Sequence, residues 1–108
     1  MSKKHPQSCS LEKLLNQISG LWTIYIIWIL DNNNSLRFGE LGREVEGIST
    51  KVLTERLRKL EAMGVVYRNY KPTIPPQVSY GLTNQGKELS RTLDPLCKLA
   101  SRWYGDDR

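Results

Sequence analysis

The residues able to do chemistry crowd one stretch, Ser49 to Gly64, which reads STKVLTERLRKLEAMG. Lys51 and Arg58 can donate to guanine edges or to phosphates, the hydroxyls of Ser49, Thr50 and Thr54 can bond to either, and Glu55 can accept from cytosine. Such work needs the groups on one exposed face, and the spacing supplies it. Leu53, Leu57 and Leu60 recur at intervals of four and three, the period of one side of a helix. At 3.6 residues per turn, Lys51, Thr54, Glu55 and Arg58 fall on the opposite side, with Arg56 and Lys59 on the flanks. The solvated face of an ordinary core helix carries the same pattern, so the surrounding elements have to decide between the two.

The stretch sets its own limits. Ser49 is an N-cap whose hydroxyl can accept from an orphaned amide, and Ile48 with Leu53 occupies the two positions of a hydrophobic staple. Gly64 is the stop, because glycine enters the left-handed conformation that closes helices at no steric cost. Just upstream, Phe38, Leu41 and Val45 lay out a two-turn helix ending near Gly47. Two helices joined by a short glycine-containing turn make a helix-turn-helix signature, with the second helix carrying the candidate reading face.

Beyond Gly64 the period falls from 3.6 to about 2. Val65, Val66, Tyr67 and Tyr70 favour one strand, and Val78, Tyr80 and Leu82 alternate as another. Lys71 to Gln77 holds three prolines and reads as a stiff extended loop. A hairpin placed directly after a reading helix is a wing, and its Arg68, Lys71 and Gln77 are candidates for phosphates beside the groove. A plain surface hairpin is the alternative.

Cys9 is the other residue with chemistry to offer. It stands at the N-cap of a short helix traced by Leu11, Leu14, Leu15 and Ile18, with Glu12 in the first turn. A thiol at a helix N-terminus faces unsatisfied amides and the positive dipole end, which favours the reactive thiolate, and Lys3 and Lys4 are near in sequence. A small half-buried cap with no sensing role is the competing reading. Cys97 reads as inert core, with pairing to Cys9 of a second subunit as the alternative.

The remaining elements position these groups. Leu21 to Leu30 (LWTIYIIWIL) is apolar almost all round. Its β-branched residues suit a strand, but Trp22, Ile26 and Ile29 repeat at helical spacing, so it is expected to be the central, most buried helix. Trp22, Tyr25 and Trp28 read either as core aromatics or as the lining of a small-ligand pocket. Asp31 to Ser35 is a turn, and Leu36-Arg37 a brief edge strand. Thr83 caps a last helix with an apolar stripe of Leu89, Leu93, Leu96, Cys97, Ala100, Trp103 and Tyr104, and Pro95 is expected to kink it. Thr83 to Tyr104 would span about 33 Å, the width of a small domain. A winged-helix body does not cover so long a stripe, which predicts a homodimer in which this helix and Leu11 and Leu15 pack on their symmetry mates.

Composition narrows the class. The chain has 108 residues, enough for one domain, and a charge of +5 from 16 Lys+Arg against 11 Asp+Glu, which suits an anionic partner. Two cysteines and no secretory signal predict a reducing, cytoplasmic setting. The Leu21–Leu30 run is about half what a bilayer-crossing helix needs, so no membrane is expected. The single histidine, His5, rules out a histidine metal cluster or a His-based triad. No glycine-rich phosphate loop is present. No catalytic residue, metal site or cofactor is expected.

The order and spacing of these motifs resemble one family. Cys9 before a helix, Gly20-Leu-Trp22, LRFGEL at Leu36 to Leu41, GISTKVLTERL at Gly47 to Leu57, LEAMGVV at Leu60 to Val66, the proline-rich Pro72 to Pro76 followed by VSY at Val78 to Tyr80, and LTNQG at Leu82 to Gly86 are similar to the HxlR-type transcriptional regulators, a branch of the MarR-like winged-helix proteins. Members often carry Gly-Lys-Trp at the position of Gly20-Leu-Trp22, and proline in place of Ser10. The resemblance implies a homodimer that binds a pseudo-palindromic double-stranded DNA operator as repressor or activator, and several members answer to small electrophiles or oxidants. The fold expected is mainly α with a small β-hairpin, a dimeric winged helix-turn-helix over residues 9–108 behind a flexible tail of residues 1–8. The competing class is a winged-helix protein–protein interaction subunit without operator binding, which calls for a more apolar outward face than Lys51, Thr54, Glu55 and Arg58 provide.

Overall fold

The structure, a computed structural model, describes residues 10–105; Cys9, the tail 1–8 and residues 106–108 lie outside the described residues. Five helices and three strands follow in the order α1 (Ser10–Ile18), α2 (Leu21–Asp31), β1 (Leu36–Arg37), α3 (Phe38–Glu44), α4 (Thr50–Ala62), β2 (Val66–Lys71), β3 (Gln77–Leu82) and α5 (Asn84–Tyr104). The expected winged helix-turn-helix is present, with one addition. The wing hairpin is part of a three-stranded antiparallel sheet ordered β1-β3-β2, because β1 pairs with β3 through Leu36–Tyr80 and Arg37–Ser79.

The α4 boundaries follow from its sequence. The Ser49 Oγ accepts from the Val52 amide at 3.1 Å. At the other end Gly64 stands at φ 82°, its amide donates to the Glu61 carbonyl at 3.0 Å, and the Val65 amide reaches back to the Leu60 carbonyl at 3.1 Å. That pair of bonds is a Schellman closure, which satisfies carbonyls the helix itself leaves open. Ser49→Ala is expected to cost about 1 kcal/mol, read as a thermal midpoint lower by about 4–8 °C in a domain of this size.

Leu53, Leu57 and Leu60 are fully buried among Ile26, Ile27 and Leu30 of α2, Leu41 of α3, Val45 just beyond it, and Val65 and Val66. Strand alternation sorts the sheet. Leu36, Val66, Val78, Tyr80 and Leu82 turn to this core, whereas Arg37, Lys71, Gln77 and Ser79 belong to the opposite face by register.

Two expectations change. The α2 helix is not buried all round: Leu21 is 61% and Trp28 55% exposed, with Tyr25 beside them, since the domain packs on one side of the helix only. Lys71 and Gln77 are not loop residues but the last rung of the ladder, so the loop is Pro72 to Pro76. As expected, α5 is one helix with Pro95 inside it. Its buried residues, Gly86, Leu89 and Ser90, all lie in its first half.

That half is firmly attached to the end of α4. Thr83 donates its hydroxyl to the Gly64 carbonyl at 2.6 Å and its amide to the Val65 carbonyl at 3.1 Å, while accepting from the Gly86 amide at 3.0 Å. The Gln85 Nε2 donates to the Met63 carbonyl at 3.1 Å. The helices α4 and α5 are therefore held to each other at one joint.

Candidate nucleic-acid interface

Burying the leucine face of α4 fixes which of its side chains look outward. Thr50, Lys51, Glu55 and Arg58 are exposed and Thr54 is half-buried. Among the described residues the ion pair formed is Lys98 to Asp94 at 3.1 Å on α5, so Lys51, Glu55 and Arg58 are not committed to internal pairs. The hydroxyls are partly spoken for. Ser49 caps the helix, and the Thr54 Oγ1 donates to the Thr50 carbonyl at 2.8 Å, leaving its lone pairs for an incoming donor.

The flanking cations are placed differently. Arg56 is half-buried, its Nε is enclosed without a hydrogen-bond partner among the described residues, and its guanidinium lies near Gly20 at the α1–α2 corner. The sequence put Arg56 and Lys59 on the flanks of the outward face, as candidates to hold the DNA backbone or pair with nearby carboxylates. The structure turns Arg56 towards the body, because a long side chain on the flank of a buried face gains by laying its stem over apolar surface. Lys59 lines a cleft of about 450 Å³ with Lys13, Leu14 and Gln17 of α1, on the flank that meets α1.

The wing candidates divide between two faces. Arg68 shares the parity of Tyr80 and Tyr70, and its guanidinium carbon stands 5.8 Å from the Tyr70 ring centre. Lys71 and Gln77 lie on the other face, where with Ser35, Arg37, Glu40 and Ser79 they line a polar cleft of about 200 Å³. Arg37, Ser35 and Ser79 were not among the candidates read from sequence. The alternation of Leu36 and Arg37 carried the signal, but only the β1–β3 pairing brings Arg37 to the wing. The wing tip is fixed by the Thr73 amide donating to the Lys71 carbonyl and the Thr73 hydroxyl to the Pro75 carbonyl, each at 2.8 Å.

The apolar stripe called a dimer face is of two kinds. Leu89 is 9% exposed and belongs to the subunit's own core, with Leu93 half-buried against it; this corrects their assignment to an intersubunit surface, since the body covers the first turns of α5. Leu96, Cys97, Ala100, Trp103 and Tyr104 are exposed, as are Leu11, Leu14 and Leu15 of α1. Cys97 is thus not the core residue expected. It lines an open cleft of about 690 Å³ with Tyr25, Trp28 and Ser101. Trp22 is instead half-buried against the core.

Among the described residues no three His, Cys, Asp or Glu side chains gather in a way that would hold a metal ion, and no single helix is long and apolar enough to cross a membrane.

Comparison with known proteins agrees with this geometry. The model of the HxlR-like helix-turn-helix family matches residues 17–108. An uncharacterised HTH-type transcriptional regulator of Methanothermobacter thermautotrophicus is 39% identical over 97 residues, covering 90% of this chain and 72% of that protein. A crystal structure from Porphyromonas gingivalis W83, described as a transcriptional regulator of the MarR family, superposes with a TM-score of 0.81 at 32% identity, over 91% of this chain and 95% of that one. The transcriptional regulator YodB of Bacillus subtilis in its reduced form gives a TM-score of 0.77 at 28% identity, over 94% and 96% of the two chains, and its diamide-treated form gives 0.74 at 26%, over 95% and 97%. Helix-turn-helix, wing and relatives agree: the chain belongs to the HxlR-like helix-turn-helix family and is a transcriptional regulator, not an enzyme.

Proposed function

We propose that this regulator binds a pseudo-palindromic operator as a homodimer in the cytoplasm, each subunit placing α4 in the major groove and its wing along the flanking backbone. The observation that carries the reading is the outward side of α4, where Lys51, Glu55 and Arg58 stand exposed over a leucine face that is wholly buried. Lys51 and Arg58 take guanine edges or phosphates, and Glu55 selects by accepting from cytosine or repelling wrong sites. A protein-docking helix would show an apolar outward face instead.

The dimer rests on the uncovered stripe. Trp103 and Tyr104 are 68% and 80% exposed, and the radius of gyration, 15.6 Å, exceeds the roughly 13 Å of a compact domain of about 100 residues. Pairing of α1 and the outer half of α5 with a second copy would cover this surface and set the two α4 helices about 34–36 Å apart, one turn of the duplex.

Control by a small electrophile or oxidant at Cys9 is the finer part of the proposal. Its supports are the position of Cys9 one residue ahead of α1 and the likeness to YodB, solved in reduced and diamide-treated forms. Modification there would act on the helix assigned to the dimer and so on the spacing of the reading helices.

The test is a mobility shift with a duplex from the chain's own upstream region at about 100 mM salt, run beside sedimentation of the free protein. A retarded complex of two chains per duplex, lost on diamide treatment of the wild type and kept in Cys9→Ser, is the expected result. Absence of any sequence preference over a random duplex removes the operator reading, and diamide-insensitive binding removes Cys9 as the sensor.

A further inference from the structure

We propose that the outward face of the sheet, where Arg37, Lys71, Gln77 and Ser79 converge, holds a backbone phosphate of the bound duplex. The register builds the site: Arg37 pairs with Ser79 across β1–β3, and Lys71 pairs with Gln77 across β2–β3. Gln77 and Ser79 are two apart on one strand, so all four side chains leave the same face. With Ser35 and Glu40 they enclose the cleft of about 200 Å³.

The chemistry of the lining selects the ligand. The guanidinium and ammonium groups only donate, and the Gln77 amide and the two seryl hydroxyls can donate as well as accept. The one carboxylate, Glu40, already accepts from the Arg37 backbone amide at 2.8 Å, which fixes it at the rim. Two cations against one engaged carboxylate, with donors on three strands, fit a tetrahedral oxyanion better than a cation or a neutral polar group.

Position selects the source. The cleft lies between the last rung of the wing, Lys71–Gln77, and the start of α3 at Phe38. In the proposed complex, a strand that leaves the groove filled by α4 and follows the wing would run past this surface. The site therefore rests on the DNA-binding reading and adds Arg37 and Ser79 to it.

Anisotropy titration of the upstream duplex over about 50–200 mM salt tests the site. Arg37→Gln should flatten the slope of log affinity against log salt by about one unit, to the same extent on specific and random duplexes. The amide that holds Glu40 is main-chain, so this variant keeps that bond. Glu40→Gln keeps the acceptor and loses the charge, and should bind about two- to fivefold tighter, a gain that no misfolded variant can give. Unchanged affinity and slope in Arg37→Gln, while Lys51→Ala with Arg58→Ala loses binding, overturns the phosphate site and leaves the DNA reading standing. If that double variant also binds normally, the placement of α4 in the groove falls, and this site, which is located from it, falls with it. Inorganic phosphate titrated into the free protein, with the Arg37 Nε followed by ¹⁵N NMR, gives the last arm. Saturable binding there with no effect of Arg37→Gln on the duplex would assign the cleft to a free phosphate-bearing molecule and overturn the DNA source.

Discussion

Changing Lys51 and Arg58 together to alanine is expected to weaken operator binding by about 2–4 kcal/mol, roughly 30- to 1000-fold, with the fold intact. Both side chains are exposed on α4, and substitutions at such positions usually move stability by no more than about 0.5 kcal/mol. The loss therefore reports on DNA. The single variants separate the two roles. If Arg58 reads a base, Arg58→Ala costs about 1–3 kcal/mol and relaxes discrimination at one operator position. If it holds a phosphate, binding falls equally on all duplexes and the salt slope flattens by about one unit. Unaltered affinity and salt dependence in the double variant would mean that α4 does not enter the groove. Competition anisotropy with single-substitution duplexes measures all of these.

Gly86→Ala is expected to destabilise the chain by about 1–3 kcal/mol, against the usual sign for this exchange in a helix. In an open helix, alanine in place of glycine stabilises by about 0.5–1 kcal/mol, because it removes backbone freedom from the unfolded chain. Here the added methyl would run into the Val65 carbonyl and crowd the Leu82 side chain. A main-chain oxygen cannot step aside as a flexible side chain can. That carbonyl also accepts from the Thr83 amide, so relief requires opening the α4–α5 joint. Gly42→Ala is the control: its methyl would meet Leu53 Cδ2 at 3.6 Å, an ordinary contact, and its thermal midpoint should hold or rise. Calorimetry of the two variants side by side decides the matter, and equal midpoints would show that the α5 start is not packed as described. Because the joint sets how α5 leaves α4, Gly86→Ala should also weaken operator binding in whatever fraction stays folded.

How far the sequence reaches differs from element to element. The α4 helix was legible throughout, since its period, its Ser49 cap and its Gly64 stop are local features and the structure keeps all three. The same holds for Thr83 as the cap of α5 and for the two wing strands, whose alternation needs no partner to be seen. Arg56 was placed only as far as the flank of α4, because position on a helix wheel gives the direction of the Cβ, not where a long side chain comes to rest. The α2 helix misled for a related reason. An all-round apolar surface signals burial, but the domain packs on one side of this helix and leaves Leu21, Tyr25 and Trp28 exposed.

Local spacing thus determined the class of the protein: which segments are helices, which face of α4 carries polar groups, and that a wing follows it. These follow from interactions between residues a few places apart, whose geometry the backbone fixes. Tertiary packing alone decided which half of the α5 stripe is core and which is left uncovered, and that Arg37 joins Lys71 and Ser79 on one face of the sheet. Those pairings join residues far apart in the chain, so they depend on how the elements close on one another, a free-energy balance that no short stretch of sequence contains.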